Sequence, residues 1–156
     1  MNGQFAFKVV EEGMGGVAKR PYAVVLGLSP TGLYVVRELG RAGVPVFGVA
    51  RKAQSGASSK YLDDHQICGS NREMLDFLVD RFAGEKLKPV LIPTTDRDID
   101  FVCRHARVLS PHFAFQTSYL DGLAQAMVTK ASLYQLCADH DVAVARWLEV
   151  KCRELP

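Results

Sequence analysis

Residues 22–32 read Tyr22-Ala-Val-Val-Leu-Gly27-Leu-Ser29-Pro30-Thr31-Gly32, and this stretch decides the fold. An apolar run ends at a glycine and a serine–proline pair opens an amphipathic segment, which indicates a strand, a tight turn and a helix. Ser29 is predicted to cap the helix, because its hydroxyl can accept a hydrogen bond from an unpaired backbone N–H. Pro30 suits the first helical position, where an N–H is not needed. We expect this turn to aim backbone N–H groups and the positive end of the helix at one point, which favours an anion.

The spacing of the turn leaves three interpretations open. Gly27, Ser29 and Gly32 occupy the places of the G-x-G-x-x-G fingerprint, with serine replacing the middle glycine that lets a pyrophosphate approach the backbone. A P-loop is excluded, since Leu33 stands where lysine is required and Tyr34 stands where serine or threonine is required. The stretch is therefore a helix start that binds nothing, one wall of a substrate pocket, or a weakened dinucleotide site.

The rest of the chain alternates between strand and helix patterns. We predict strands at 22–26, 44–50, 65–68 and 89–93, with a last short strand between 108 and 115. Helices are predicted at 30–42, 70–83, from 95 onward, at 118–127 and at 130–140. Ser70 and Glu73 suit a capping box at the start of the second helix, and Leu120, Leu123 and Met127 of the helix at 118–127 are expected to face inward. Strands joined by helices imply a parallel sheet with right-handed crossovers, so the fold class is α/β with a mostly parallel sheet.

Composition narrows the class of protein. The chain has 156 residues, of which 48% are hydrophobic and 23% charged, as in one ordinary globular domain. Its net charge is +2 and it has no basic block, so a nucleic-acid surface is not indicated. No apolar run approaches the ~18 residues of a membrane helix, and no signal-peptide pattern precedes the domain. The four cysteines are scattered without a C-x-x-C, which predicts a reduced, cytoplasmic protein.

Candidate binding residues follow the predicted strands, because ligands of such sheets bind beyond the carboxyl ends of the strands. The polar residues of these loops that we expect to contact a substrate are Ser29, Thr31, Thr94, Thr95 and Asp96. The loop at 94–98 also has a purely structural interpretation, in which Thr95 caps a helix and the acidic residues complement its positive end. Arg51 and Lys52 end the second strand, where NADP-binding domains favour arginine; a solvated basic loop is the alternative.

No catalytic or metal-binding residue is predicted. Asp96, Asp98 and Asp100 imitate the start of a calcium loop, but Phe101 stands at the place of its glycine and Arg107 at the place of its glutamate. The histidines lack metal-ligand spacing, and no serine lies in a G-x-S-x-G elbow. Lys130 begins a predicted helix, where its positive charge is mildly unfavourable beside the positive end of the helix dipole. Either an anionic ligand lies nearby or the side chain is solvated.

Five segments in their order resemble the N-terminal part of ATP-grasp ligases of the carboxylate–amine branch. They are the turn at 27–32, Leu39-Gly-Arg-Ala-Gly-Val-Pro-Val46, Ser59-Lys-Tyr61, Val90-Leu-Ile-Pro-Thr-Thr-Asp96 and Lys130-Ala-Ser-Leu-Tyr-Gln-Leu-Cys137. The resemblance covers about residues 20–150. It implies a flexible leader at 1–20, a Rossmann-like three-layer preATP-grasp domain at 21–127, and at 128–156 a linker or the start of an ATP-grasp domain.

The same resemblance implies a function. Such ligases use ATP and Mg²⁺ to activate a carboxylate as an acyl phosphate, which an amine then attacks, and Lys130 matches a lysine that contacts the nucleotide phosphate. The chain ends at Pro156, before the further phosphate-binding and magnesium-binding elements, so we expect a front domain that is inert without an ATP-grasp domain in cis or in trans. Its substrate would be an amino acid or another carboxylate. The alternatives are a free-standing module that binds a nucleotide such as NADP, and a structural partner that completes an enzyme supplied by another polypeptide and self-associates as a homodimer.

Overall fold

The computed structural model describes residues 20–146, and within them the α/β class is confirmed. The strands are β1 (Ala23–Leu26), β2 (Val46–Ala50), β3 (Asp64–Ile67) and β4 (Val90–Pro93). The helices are α1 (Pro30–Arg41), α2 (Asn71–Phe82), α3 (Asp96–Leu109), α4 (Leu123–Ala126) and α5 (Lys130–Asp139), with 3-10 turns at Ser55–Ser58 and Thr117–Tyr119. Residues 1–19 of the leader predicted at 1–20, and the chain from Trp147, lie outside the described residues.

All strand pairs of this sheet are parallel, in the order β3-β2-β1-β4. The chain runs outward from β1 through β2 to β3, and then returns to place β4 on the other side of β1. The strand order therefore reverses between β1 and β4, and the carboxyl ends of these two strands form the crevice in which open α/β sheets bind ligands.

Helices cover both faces of the sheet, which makes the domain three-layered. On one face, Val24, Leu26 and Leu91 pack with buried side chains of α2 and α3 such as Leu78 and Phe101. On the other face, α1 and the loop after β2 cover Val25, Val46 and Ala50. β1 and β2 are buried along their whole length, as expected for central strands of a parallel sheet.

Capping explains where two of the helices begin. The Ser70 hydroxyl accepts a hydrogen bond from the Glu73 N–H at 3.1 Å, and the Glu73 carboxylate accepts one from the Gly69 N–H at 2.7 Å. This is the predicted capping box, with its return bond one residue earlier than usual. The Thr95 hydroxyl caps α3 as predicted, accepting from the Asp98 N–H at 3.3 Å. Each cap satisfies a backbone donor that has no partner within its helix.

The predicted side-chain cap of α1 is wrong. Ser29 stands at the N-cap position and Pro30 at the first helical position, but the Ser29 hydroxyl makes no cap hydrogen bond. The Ser29 backbone carbonyl instead accepts from the Leu33 N–H at 2.8 Å, and the proline supplies the helical φ that starts the helix. The start of α1 therefore depends on the backbone and on Pro30.

The predicted last strand is reduced to one parallel bridge between Val90 and Ala114. The Leu91 N–H donates to the Ala114 carbonyl at 2.9 Å, and the next backbone nitrogen on that edge belongs to Pro93, which has no N–H. Pairing cannot continue past this proline, so β4 is an edge strand. Val108 and Leu109, which we assigned to the same strand, are the end of α3.

The predicted helix at 118–127 is also corrected. A 3-10 turn and the short α4 replace it, because Gly122 between them adopts φ +84 and interrupts the helical hydrogen bonds. Leu120, Leu123 and Met127 are largely exposed rather than buried. α5 forms as predicted from Lys130, but no side chain of α5 is fully buried, and His140 is exposed.

Candidate functional site

A cavity of about 290 Å³ opens over the carboxyl ends of β1, β2 and β3 and beside the start of α3. Its lining residues are Gly27, Arg51, Lys52, Gln54, Gly69, Thr95, Arg97 and Asp98. Three of these side chains are cationic and one is anionic. The cavity thus lies at the crevice that the strand order predicts, and its lining favours a negatively charged ligand.

The turn after β1 is shaped by its two glycines. Gly27 adopts φ +83, and a Cβ at this position would lie 2.8 Å from the Asp98 carboxylate and 2.9 Å from the Thr94 hydroxyl. A Cβ on Gly32 would lie 1.9 Å from the Gly27 carbonyl oxygen, so α1 can approach the turn only with glycine there. These are the roles of the first and last glycines of a dinucleotide fingerprint, a tight turn and close packing of the helix.

Thr94 supports the turn from the neighbouring strand. Its hydroxyl donates to the Leu26 carbonyl at 2.7 Å and lies 3.2 Å from the Gly27 carbonyl. The hydroxyl predicted to contact substrate is therefore engaged by the end of β1. Thr94 follows β4, so this hydrogen bond connects the carboxyl ends of β1 and β4 at the base of the crevice.

An ion pair between Arg51 and Asp98 forms the centre of the cavity wall. The Asp98 side chain is 1% exposed and the Arg51 side chain 13% exposed. The two residues are 47 positions apart in the sequence, so the fold brings them together. The Arg51 Nε donates to the Asn71 side-chain oxygen at 2.8 Å, and the guanidinium lies 5.6 Å from the centre of the Phe101 ring. Arg51 is thus held by contacts from α2 and α3, which makes it a rigid cation.

One nitrogen of this guanidinium has no partner. Arg51 Nη2 is buried and forms no hydrogen bond with any part of the chain between residues 20 and 146. A buried donor without a partner is costly, and more so when it is charged. A ligand oxygen or a bound water would satisfy it.

Thr95 completes the wall and fixes the carboxylate. Its hydroxyl donates to Asp98 Oδ2 at 2.6 Å while accepting the helix-capping bond from the Asp98 N–H. Both oxygens of Asp98 are therefore occupied, one by Thr95 and the other by Arg51. Asp98 is therefore held in place and orients Arg51.

Cys68 at the end of β3 is not a nucleophile. It is fully buried, and this burial raises the pKa of its thiol above the ordinary value, with the charge of Glu73 raising it further against an opposing effect of Arg51. A buried cysteine with a raised pKa is protonated at neutral pH and unreactive. Cys68 belongs to the core.

Only one of the predicted substrate residues lines the cavity, namely Thr95. The others lie nearby or in separate elements: Ser29 and Thr31 begin α1, Thr94 binds β1, and Asp96 is exposed in the first turn of α3. Sequence reasoning did not identify Arg51 and Asp98 as a pair. The available signal was that each follows a strand whose carboxyl end opens onto the same crevice.

Lys130 is not part of this cavity. It is exposed at the first position of α5, where the Thr129 hydroxyl accepts the capping bond from the Ser132 N–H at 3.2 Å. A single exposed lysine does not form a nucleotide pocket. Between residues 20 and 146 there is also no group of three or more His, Cys, Asp or Glu side chains that could hold a metal ion.

The described part of the chain contains no helix with the length and hydrophobicity needed to cross a bilayer. In comparisons with known proteins, no protein-family model matches the chain, and no curated protein is significantly similar to it. Assignment to a family therefore depends on the order of sequence segments described above, and it stands as a proposal.

Proposed function

We propose that this chain is the front domain of an ATP-dependent carboxylate–amine ligase, in which it supplies one wall of the substrate pocket. The observation that supports this most strongly is the cation-lined cavity at the carboxyl ends of β1 and β2. A rigid guanidinium at such a position suits the carboxylate of an amino acid or a related acid. The ATP-grasp domain would bind ATP and Mg²⁺ and carry out the chemical step, so this chain alone would not convert substrate to product.

Lys130 has a place in this proposal at the junction with the ATP-binding part. It begins α5, which packs mainly on α4 and lies outside the crevice of the sheet. When ATP is bound, it supplies the phosphoryl group that activates the carboxylate. Lys130 would offer the ATP phosphates one exposed cation, and the remaining contacts would come from the ATP-grasp domain.

The exposed apolar residues of α4 and the turn before it suit an assembly surface. Leu120, Leu123 and Met127 are 47%, 44% and 53% exposed. Groups of exposed apolar side chains are uncommon on the surface of a monomeric protein, and they pack well against a second domain or subunit. Analytical ultracentrifugation of the chain alone, and of the chain mixed with a separate ATP-grasp domain, would show whether either partner is bound.

Two measurements test the function. Calorimetric titration with a panel of amino acids and other carboxylates should give saturable binding, and absence of binding by every member would contradict the pocket. ADP formation with ATP, Mg²⁺ and the same panel should be absent for the chain alone. Turnover by this polypeptide without another domain would contradict the proposed division of labour.

A second candidate is a nucleotide-binding module for NADP. Arg51 follows β2, which is where NADP-binding domains place an arginine for the 2′-phosphate, and Gly27 and Gly32 have the geometry of the fingerprint. Ligand at 100 times its dissociation constant should stabilise the fold by about 2.7 kcal/mol. Absence of a rise in melting temperature at millimolar NADP would count against this candidate.

A further inference from the structure

We propose that the cavity selects a doubly negative oxyanion, either a phosphate monoester or a dicarboxylate, over a singly charged carboxylate. This inference rests on the proposed function, because it specifies the class of substrate that the pocket would take. It depends on the balance of charge around the cavity and on the fixed position of the Arg51 guanidinium.

The charge balance favours a dianion. Arg51, Lys52 and Arg97 contribute three positive charges to the lining, and Asp98 contributes one negative charge. Neither Lys52 nor Arg97 forms an ion pair with any carboxylate of the described residues. The lining therefore has an excess of two positive charges, which a doubly negative group would neutralise and a single carboxylate would not.

One acidic side chain lies at the edge of the cavity without lining it. The Glu73 carboxylate accepts a hydrogen bond from the Gly69 N–H at 2.7 Å, and Glu73 is not among the lining residues. A hydrogen bond does not neutralise a carboxylate, so Glu73 lowers the positive potential at this edge. The excess of two positive charges is that of the lining residues themselves.

The contacts of Arg51 fix its positive charge in the cavity wall. Its Nη1 binds Asp98 and its Nε binds Asn71, while Nη2 is buried without a partner. Arg51 therefore attracts a ligand through a charge of fixed position rather than through a two-point fork to the ligand oxygens. Lys52 and Arg97, which are exposed and long, can then close on the remaining oxygens of the bound group.

Binding to the full chain tests this directly, with inorganic phosphate, succinate and acetate as probes at constant ionic strength. Succinate or phosphate should bind at least about fivefold more tightly than acetate, the factor expected for one additional charge contact in water. Phosphate binding without succinate binding identifies a phosphate monoester, and the reverse identifies a dicarboxylate; either result supports the proposal. Equal affinity for acetate would overturn the selectivity and leave the carboxylate pocket of the proposed function intact.

Matched variants show whether the charges of the lining are responsible. Lys52→Gln and Arg97→Gln should each weaken dianion binding about fivefold. Lys86→Gln and Arg37→Gln remove the same charges at exposed positions outside the cavity, and they should leave the affinity unchanged. Equal effects in both sets would show that only net charge matters and would overturn the proposal. Absence of binding by all three probes would do so as well, since water would then satisfy Arg51, and it would also argue against the proposed pocket.

Discussion

Replacing Arg51 with methionine would leave the Asp98 carboxylate buried without its guanidinium partner. Breaking a buried ion pair by removing one member costs about 3–5 kcal/mol. Arg51 is 13% exposed and Thr95 still donates to Asp98, so we expect the lower end, about 3 kcal/mol of unfolding free energy. Asp98→Leu should cost a similar amount, because it strands the guanidinium instead.

The double variant Arg51→Met with Asp98→Leu separates pairing from general damage to the site. It removes both charges together, and apolar replacements of a buried pair are often neutral or stabilising. We therefore expect the double variant to regain at least half of the summed loss, a coupling energy of about 3 kcal/mol. Urea unfolding at neutral pH measures this, provided that the slope of free energy against urea is common to all variants.

A surface ion pair provides the control for this cycle. Arg72 and Asp76 lie 2.8 Å apart on α2, with 84% and 52% of their side chains exposed. The same type of cycle there should give less than about 0.5 kcal/mol, as for other exposed pairs on helices. Additive losses at Arg51 and Asp98, or a coupling no larger than that of the surface pair, would refute the view that a buried pair organises the cavity.

Three further predictions concern the turn, the caps and a surface tyrosine. Gly27→Ala should destabilise the fold by about 2–4 kcal/mol in urea unfolding, because φ is positive there and the new Cβ would lie 2.8 Å from a buried carboxylate oxygen; a loss under 1 kcal/mol would contradict this. Thr95→Ala should lower the free energy of unfolding by about 2 kcal/mol and Ser29→Ala by under about 0.5 kcal/mol, since of these two residues Thr95 makes a side-chain cap and Ser29 does not. Equal losses would be inconsistent with the caps described. Hydrogen bonding to Arg41, helped by the charge of a neighbouring lysine, lowers the pKa of Tyr61, so Arg41→Gln should raise that pKa in an NMR titration, and an unchanged value would show that the pair does not form in solution.

Local sequence patterns were sufficient for most of the sheet and its helices. An apolar run ending at a glycine predicted β1 and its turn, and the Ser70–Glu73 spacing predicted the start of α2. These signals work because each depends on residues within one turn or one strand of each other. The alternation of such segments then predicted a parallel sheet.

The elements after α3 were less predictable, because their outcome depends on the edge of the sheet. Phe113 and Phe115 flank an apolar piece that suits a strand, but the neighbouring edge offers no N–H at Pro93. The apolar periodicity around Leu123 suited a buried helix, but Gly122 interrupts the helix. Composition alone does not show which apolar stripe has a layer to pack against.

The site was predictable in place but not in its residues. The predicted parallel sheet indicated a site beyond the carboxyl ends of its strands, and Thr95 was named from its loop. The hydroxyl of Thr94 looked equally available in sequence, yet in the folded protein it binds the Leu26 carbonyl. Arg51 and Asp98 are 47 positions apart in the sequence, and no local pattern indicates which basic side chain meets which carboxylate.

The central claim is that the cavity around Arg51 binds an anion, and an NMR titration of the full chain with succinate and with phosphate tests it most directly. We predict saturable shifts of the backbone amides of Gly27, Gly69 and Thr95, which line the cavity on three separate loops. Shifts that do not saturate, or saturable shifts confined to residues elsewhere in the chain, would contradict the account.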